Sequence, residues 1–269
     1  YQGVGIDCVA MNVNDLLCVG AEPLAFVDYI AVPETDPETH SVIGGSLAEA
    51  CRRARITLAG GETATLPGIV TELDLSGTAL GWFPAGEAIT GEKLEAGDVI
   101  IGLPSSGVHS NGYTLLRAII EKSGLSLGDT APFDTNHLGR EIEGANESGA
   151  TLGEVLLNPT RIYVDPIIDL IDSCRKGTGP CASGDLKAIA HITVVAYRIY
   201  CDYTIVWGGI FRTHYLFHLN SIGWLKLDLL KNWKCIEYST WEWVCVSLYL
   251  QRLLKPLKIG LLRGCLALE

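Results

Sequence analysis

The run Pro104-Ser105-Ser106-Gly107-Val108-His109-Ser110-Asn111-Gly112, opening straight into Tyr113-Thr114-Leu115-Leu116-Arg117, gathers residue types suited to holding an anion. An apolar strand, a loop of small residues and a helix start would leave orphan N–H groups and the positive end of a helix dipole facing a ligand. Ser105, Ser106, Gly107 and Ser110 would line such a site. His109 could shuttle a proton near neutral pH or bind a phosphoryl oxygen, and Asn111 could polarise an amide. The plainer alternative is a capped turn with a structural histidine.

Two further clusters carry oxygen donors. Asn14-Asp15 stands inside the apolar run Ala10–Leu17 and is followed by Gly20-Ala21-Glu22-Pro23, so an amide and a carboxylate lie beside a buried wall where they could ligate Mg²⁺ and orient nucleotide phosphates. The alternative is a helix whose polar residues simply face solvent. Gly60-Gly61-Glu62-Thr63 follows the apolar Ile56–Ala59. Two glycines let backbone N–H groups approach a phosphate, and Glu62 could share a metal with a distant carboxylate. A Gly-Gly turn ending a strand explains the same letters.

The elements that must position these clusters follow from local pattern. Phe26–Val32 reads as a strand, and Asp36-Pro37-Glu38 supplies an N-cap, a first-turn proline and an early acid for a helix through Ser41–Arg55. Val42, Ile43, Leu47, Ala50 and Ala54 would form its apolar face, with Arg52, Arg53 and Arg55 at its end. Ile69–Phe83 reads as a long strand or hairpin. Asp98–Leu103 reads as a new buried strand, which sets a domain boundary near residue 93. Asn158-Pro159 would cap a helix containing Arg161, Tyr163, Ile167 and Ile171 that Pro166 kinks or breaks, and Ser173–Gly184 would be a surface loop.

Composition narrows the class. Thirty glycines and 48% hydrophobic residues in 269 fit an α/β or α+β fold with many turns and buried strands. A net charge of −11 argues against a nucleic-acid partner, while leaving a small anion held by backbone N–H groups and a bridging cation. Nine cysteines without a paired spacing read as reduced thiols. No apolar run reaches the roughly 18 residues of a membrane span, and no signal peptide opens the chain.

The segments GIDCVAMNVNDLLCVGAEP, LAGGETATLPGIV, GLPSSGVHSNGYTLLR, LNPTRIYVDPIIDLI and AIAHIT, in that order across residues 3–193, resemble the aminoimidazole ribonucleotide synthetase family of cyclo-ligases. The resemblance implies a two-domain synthetase. Residues 1–92 would form a mixed-sheet domain that binds ATP and metal and makes a homodimer; residues 93–193 would form an α+β domain carrying the anion loop. The implied reaction uses ATP to phosphorylate the amide oxygen of a phosphorylated ribonucleotide. An amidine nitrogen then attacks and displaces phosphate, closing an imidazole ring in purine biosynthesis. Asp15 and Glu62 take the metal-binding positions, with Asn14, Gly60, Gly61, Thr63, Ser105, Ser106, Gly107 and Ser110 at the nucleotide and phosphate. His109 and Asn111 sit at the reacting amide, and Asp15 joins them as a catalytic candidate. A cytoplasmic location follows from the same resemblance. Formylglycinamidine ribonucleotide synthase, selenophosphate synthetase and thiamine-monophosphate kinase share the fold and stand as alternatives, as does a dimerising relic without catalysis.

Two departures shape the expectations. The family's front end carries an Asp-Gly-Val-Gly-Thr-Lys loop, which the chain lacks, so it is expected to begin inside a longer protein and to be inactive alone. After AHIT the family has a glycine triplet where Val194-Val195-Ala196 stands here. Residues 1–193 carry 26 acids against 11 bases, whereas residues 194–269 carry 5 against 9 and hold five of the six tryptophans. That reversal marks the tail as aberrant, and a Gly-Gly-Gly read one base late gives Val-Val-Ala, as in a shifted reading frame.

Overall fold

A computed structural model describes residues 1–191, apart from 96, 97, 100, 134, 136–139, 143–148 and 183. The tail 194–269, and with it the shifted-frame reading at Val194–Ala196, lies outside the described residues.

Helix α1 (Val4–Cys18) buries Ile6, Val9, Val13 and Leu17, whose spacing of three and four draws one apolar stripe. Strand β1 (Glu22–Val32) begins four residues earlier than its apolar run suggests. Helix α2 (Pro37–Ala54) starts as its letters dictate: the Asp36 carboxylate accepts from the Glu38 N–H and Pro37 occupies the first turn. Arg55 then stops it in the left-handed conformation, at φ 56°. Its buried face runs through Ile43, Ser46, Leu47, Ala50, Cys51 and Ala54; Val42 is 37% exposed, because position 46 and not 42 falls in line with 43 and 50.

β2 (Thr57–Thr65) pairs parallel to β1, and β3 (Asp74–Trp82) pairs antiparallel on its other side, giving the order β2-β1-β3. Of the expected Ile69–Phe83 strand, the first part is instead a turn, and Ile69 is exposed. Phe26 passes beneath Gly77 so closely that any side chain there would collide with its ring. One core joins α1, β1 and α2 to Val164, Ile167, Ile168 and Ile171 of helix α5 (Val164–Arg175). A second, smaller cluster joins Leu116 of α3 (Tyr113–Ser123) to Ala150 and to Leu152, Val155 and Leu156 of α4 (Leu152–Leu156).

Four expectations are corrected here. Gly60-Gly61 lies inside β2, not in a turn at its end; the register slips beside it, between Phe26 and Val27, and a Cβ on Gly61 would strike the Asp28 carboxylate. The described residues of 98–103, which are 98, 99 and 101–103, form no strand and are exposed, Val99 and Ile101 by more than four-fifths, because no described strand pairs with them. Asn158 caps no helix: α5 begins at Val164, so Pro166 falls in its first turn, where a missing N–H is harmless, and no kink results. Cys174 and Cys181 form a disulfide across the turn that ends α5, with Cα atoms 5.5 Å apart, so the thiols are not all reduced. Cys8, Cys18 and Cys51 are free, and burial pushes the thiols of Cys8 and Cys18 up to about 11. Among the described residues no helix is long and apolar enough to cross a membrane.

Candidate functional site

The organising piece of backbone is the strap 158–163, which runs between α1 and the 104–112 loop. Two side chains of α1 seven positions apart, and so on one helix face, take hold of it. Asp7 accepts from the Thr160 N–H at 2.7 Å and from the Thr160 hydroxyl at 2.6 Å. Asn14 donates to the Arg161 carbonyl at 2.8 Å and accepts from the Tyr163 N–H at 3.1 Å. Asn14 is buried, and both ends of its amide serve the strap, a role different from the nucleotide contact its position implies.

The loop meets the strap from the other side. Asn158 donates to the Ser106 carbonyl at 2.7 Å, and the Ser106 hydroxyl donates to the Pro159 carbonyl at 3.1 Å. Ser106 is fully buried, so the structure gives it a structural place inside the loop and not on a phosphate surface. His109 and Ser110 both take positive φ, 53° and 58°, an uncommon backbone for non-glycine residues that turns the His109 ring inward. The His109 Nε2 then accepts from the Ser106 N–H at 3.0 Å and lies 3.4 Å from the Arg161 N–H. The Ser106 hydroxyl lies 2.9 Å from the same nitrogen. Two backbone N–H groups aimed at Nε2 favour the tautomer with the imidazole proton on Nδ1, in which the hydroxyl shares its one proton between Nε2 and the Pro159 carbonyl.

Burial, then the neighbouring positive charge of His191 and Arg161, pulls the His109 pKa down to about 4. The ring is therefore neutral at pH 7, and in this structure it serves as a hydrogen-bonding group. Asn111 donates back to the His109 carbonyl at 3.2 Å, and Ser110 lies 3.5 Å from the Thr160 hydroxyl. Ser105 is half-buried and Gly107 is buried against Asn158. α3 begins after Gly112 with no side-chain cap, as an anion-accepting helix start requires.

Asp15 points the other way from Asn14. Its carboxylate is exposed and meets the His191 Nδ1 at 2.7 Å, joining the first cluster to the AIAHIT segment. Gly60, Glu62 and Thr63 lie exposed along β2, and a Cβ on Gly60 would meet nothing within 4 Å, so that stretch of backbone is open to a ligand. Among the described residues, no group of three or more His, Cys, Asp and Glu side chains is placed to hold a metal ion. Asp15 and Glu62 are both exposed carboxylates. The reading from sequence missed Asp7, Glu141, Thr160 and His191 as parts of this arrangement. Glu141 holds the Arg161 guanidinium at 2.8 Å. The seven-residue interval between Asp7 and Asn14 was the one signal available for the first of them.

Comparison with known proteins decides the family. Residues 1–83 match the AIR synthase related protein, N-terminal domain, and residues 95–202 match the AIR synthase related protein, C-terminal domain. The chain belongs to the AIR synthase related family. Phosphoribosylformylglycinamidine cyclo-ligase of Methanobrevibacter smithii is 44% identical over 194 residues, 72% of this chain and 50% of that protein. The protein of the same name from Methanococcoides burtonii is 46% identical over 193 residues, 72% of this chain and 51% of the relative. A crystal structure of thiamine-monophosphate kinase from Stenotrophomonas maltophilia aligns with a TM-score of 0.42 at 24% identity, over 63% of this chain and 46% of that one. The chain spans about half the length of these curated relatives. As a family member it shares the α/β fold that the sequence suggested, a mixed sheet with helices packed on it.

Proposed function

We propose that this chain is the portion of an ATP-dependent cyclo-ligase that holds formylglycinamidine ribonucleotide and closes its imidazole ring. The observation that carries the reading is identity of 42 to 46% to relatives of that name, over 193 residues with one and 200 with another. The exposed pair Asp15 and Glu62 supplies the hard oxygen donors a magnesium ion takes, with ATP phosphates completing its shell. Gly60, Gly61 and Thr63 offer backbone and hydroxyl contacts along the open strand. When bound, ATP supplies the phosphoryl group that turns an amide oxygen into a leaving group. This chain's own residues position the substrate: Ser105, Ser110 and the start of α3 face the substrate's anion, while neutral His109 and Asn111 hydrogen-bond at the reacting amide. His191, bound to Asp15, joins them. A homodimer formed through residues 1–92 and a cytoplasmic location belong to the same reading.

A chimera tests it: residues 1–191 replace the corresponding stretch of the Methanococcoides burtonii relative, and ADP release is measured. The reading expects release that depends on formylglycinamidine ribonucleotide and yields a ring-closed product. Release that depends instead on thiamine monophosphate, or no turnover from a folded chimera, contradicts it.

A further inference from the structure

We propose that Asp7 is a positioning residue: from the first turn of α1 it fixes the strap at Thr160, and through Arg161 it holds His109 in one tautomer and orientation. The inference rests on the ring-closing reading only for what His109 acts upon; the geometry stands by itself. The peptide unit joining Thr160 to Arg161 carries the N–H that faces His109 Nε2 at 3.4 Å. Both of its flanks are held from one face of α1. On one side Asp7 Oδ1 takes the N–H and the hydroxyl of the fully buried Thr160, at 2.7 and 2.6 Å. On the other, Asn14 takes the Arg161 carbonyl at 2.8 Å. A carboxylate accepting two donors in a semi-buried setting makes stronger bonds than a neutral group would, so the larger share of this fixation falls to Asp7.

The groups around His109 define what release would do. Ser106 presents its N–H and, 2.9 Å from Nε2, its hydroxyl; Arg161 presents its N–H; the Tyr163 ring lies tilted 6.2 Å away, and His191 and Arg161 bring positive charge. If the strap drifts, one of the two donors that keep Nε2 unprotonated is lost. The ring then samples the other tautomer, in which Nε2 carries the proton and no longer accepts.

The test uses the full chain with ¹⁵N-labelled histidine and no ligand. In the unsubstituted protein, His109 Nε2 should show the shift of an unprotonated nitrogen at pH 7, and the Thr160 and Arg161 amides should exchange slowly. Asp7→Ala should move the Nε2 shift toward a tautomer average and speed exchange at both amides by roughly tenfold or more. Asp7→Asn, which keeps an acceptor oxygen, should restore most of both. A folded Asp7→Ala protein with an unchanged His109 spectrum overturns the proposal. If Asp7→Ala does not fold, Thr160→Val decides. It removes one of the two bonds to Asp7, and faster Arg161 exchange upholds the proposal while unchanged exchange and an unchanged His109 spectrum overturn it. Because no substrate enters, failure of the ring-closing assay leaves this result untouched.

Discussion

α1 and the 104–112 loop solve one problem in two ways. Each offers polar residues side by side, and each turns some inward to hold the strap and leaves others outside it. On α1 the division is periodic: consecutive positions lie about 100° apart, so Asn14 enters the core while Asp15 faces out. In the loop no period exists: left-handed backbone at His109 and Ser110 turns the His109 ring inward, and Ser106 is buried beside it. Residue type alone therefore does not separate the group that binds from the group that braces.

That contrast can be broken at defined points, in order of expected effect. Asn14→Ala should cost about 2–4 kcal/mol in urea unfolding followed by far-UV circular dichroism, because it removes the donor to the Arg161 carbonyl and the acceptor of the Tyr163 N–H from a buried site. A change below about 1 kcal/mol would mean the strap finds other partners. Ser106→Ala, the bracing residue of the loop, should cost less, about 1–2 kcal/mol, since the Pro159 carbonyl loses its hydroxyl donor but the backbone bonds persist. Equal costs would erase the distinction between a two-ended amide and a single hydroxyl.

Acid should destabilise the loop in a defined window. His109 has a folded pKa of about 4 against an ordinary 6.5, so between those values the unfolded chain binds the extra proton and stability falls as pH falls. Above about 6.5 this contribution is complete, and below about 4 it has gone. His109→Gln should flatten the dependence within that window, and an unaltered slope would assign it to other groups. The smallest effect on folding belongs to Asp15→Asn, within about 0.5 kcal/mol for an exposed side chain. In the chimera the same change should weaken Mg-ATP use far more than stability. Parallel losses would make Asp15 another brace.

Sequence carried the fold unevenly. The cap of α2 was legible because Asp36, Pro37 and Glu38 act through bonds within four residues of each other. The failure at 98–103 was not local: a short apolar run promises a buried strand only if something pairs with it. The strap was hidden for a similar reason. Asp7 to Thr160 and Asn14 to Arg161 span about 150 residues, and nothing in the run Asn158–Tyr163 says it will lie extended between two clusters. The candidate letters stood out in the sequence, but their orientation was set by tertiary contacts, as with Gly61, whose missing Cβ makes room for Asp28 and not for a turn.

The account turns on His109 as a neutral hydrogen-bonding hub, and an NMR titration of its ring nitrogens in the unsubstituted chain tests that most directly. The expected result is an Nε2 without a proton at pH 7 and a midpoint near 4. A midpoint at or above the ordinary 6.5, with the proton on Nε2 at neutrality, would contradict it.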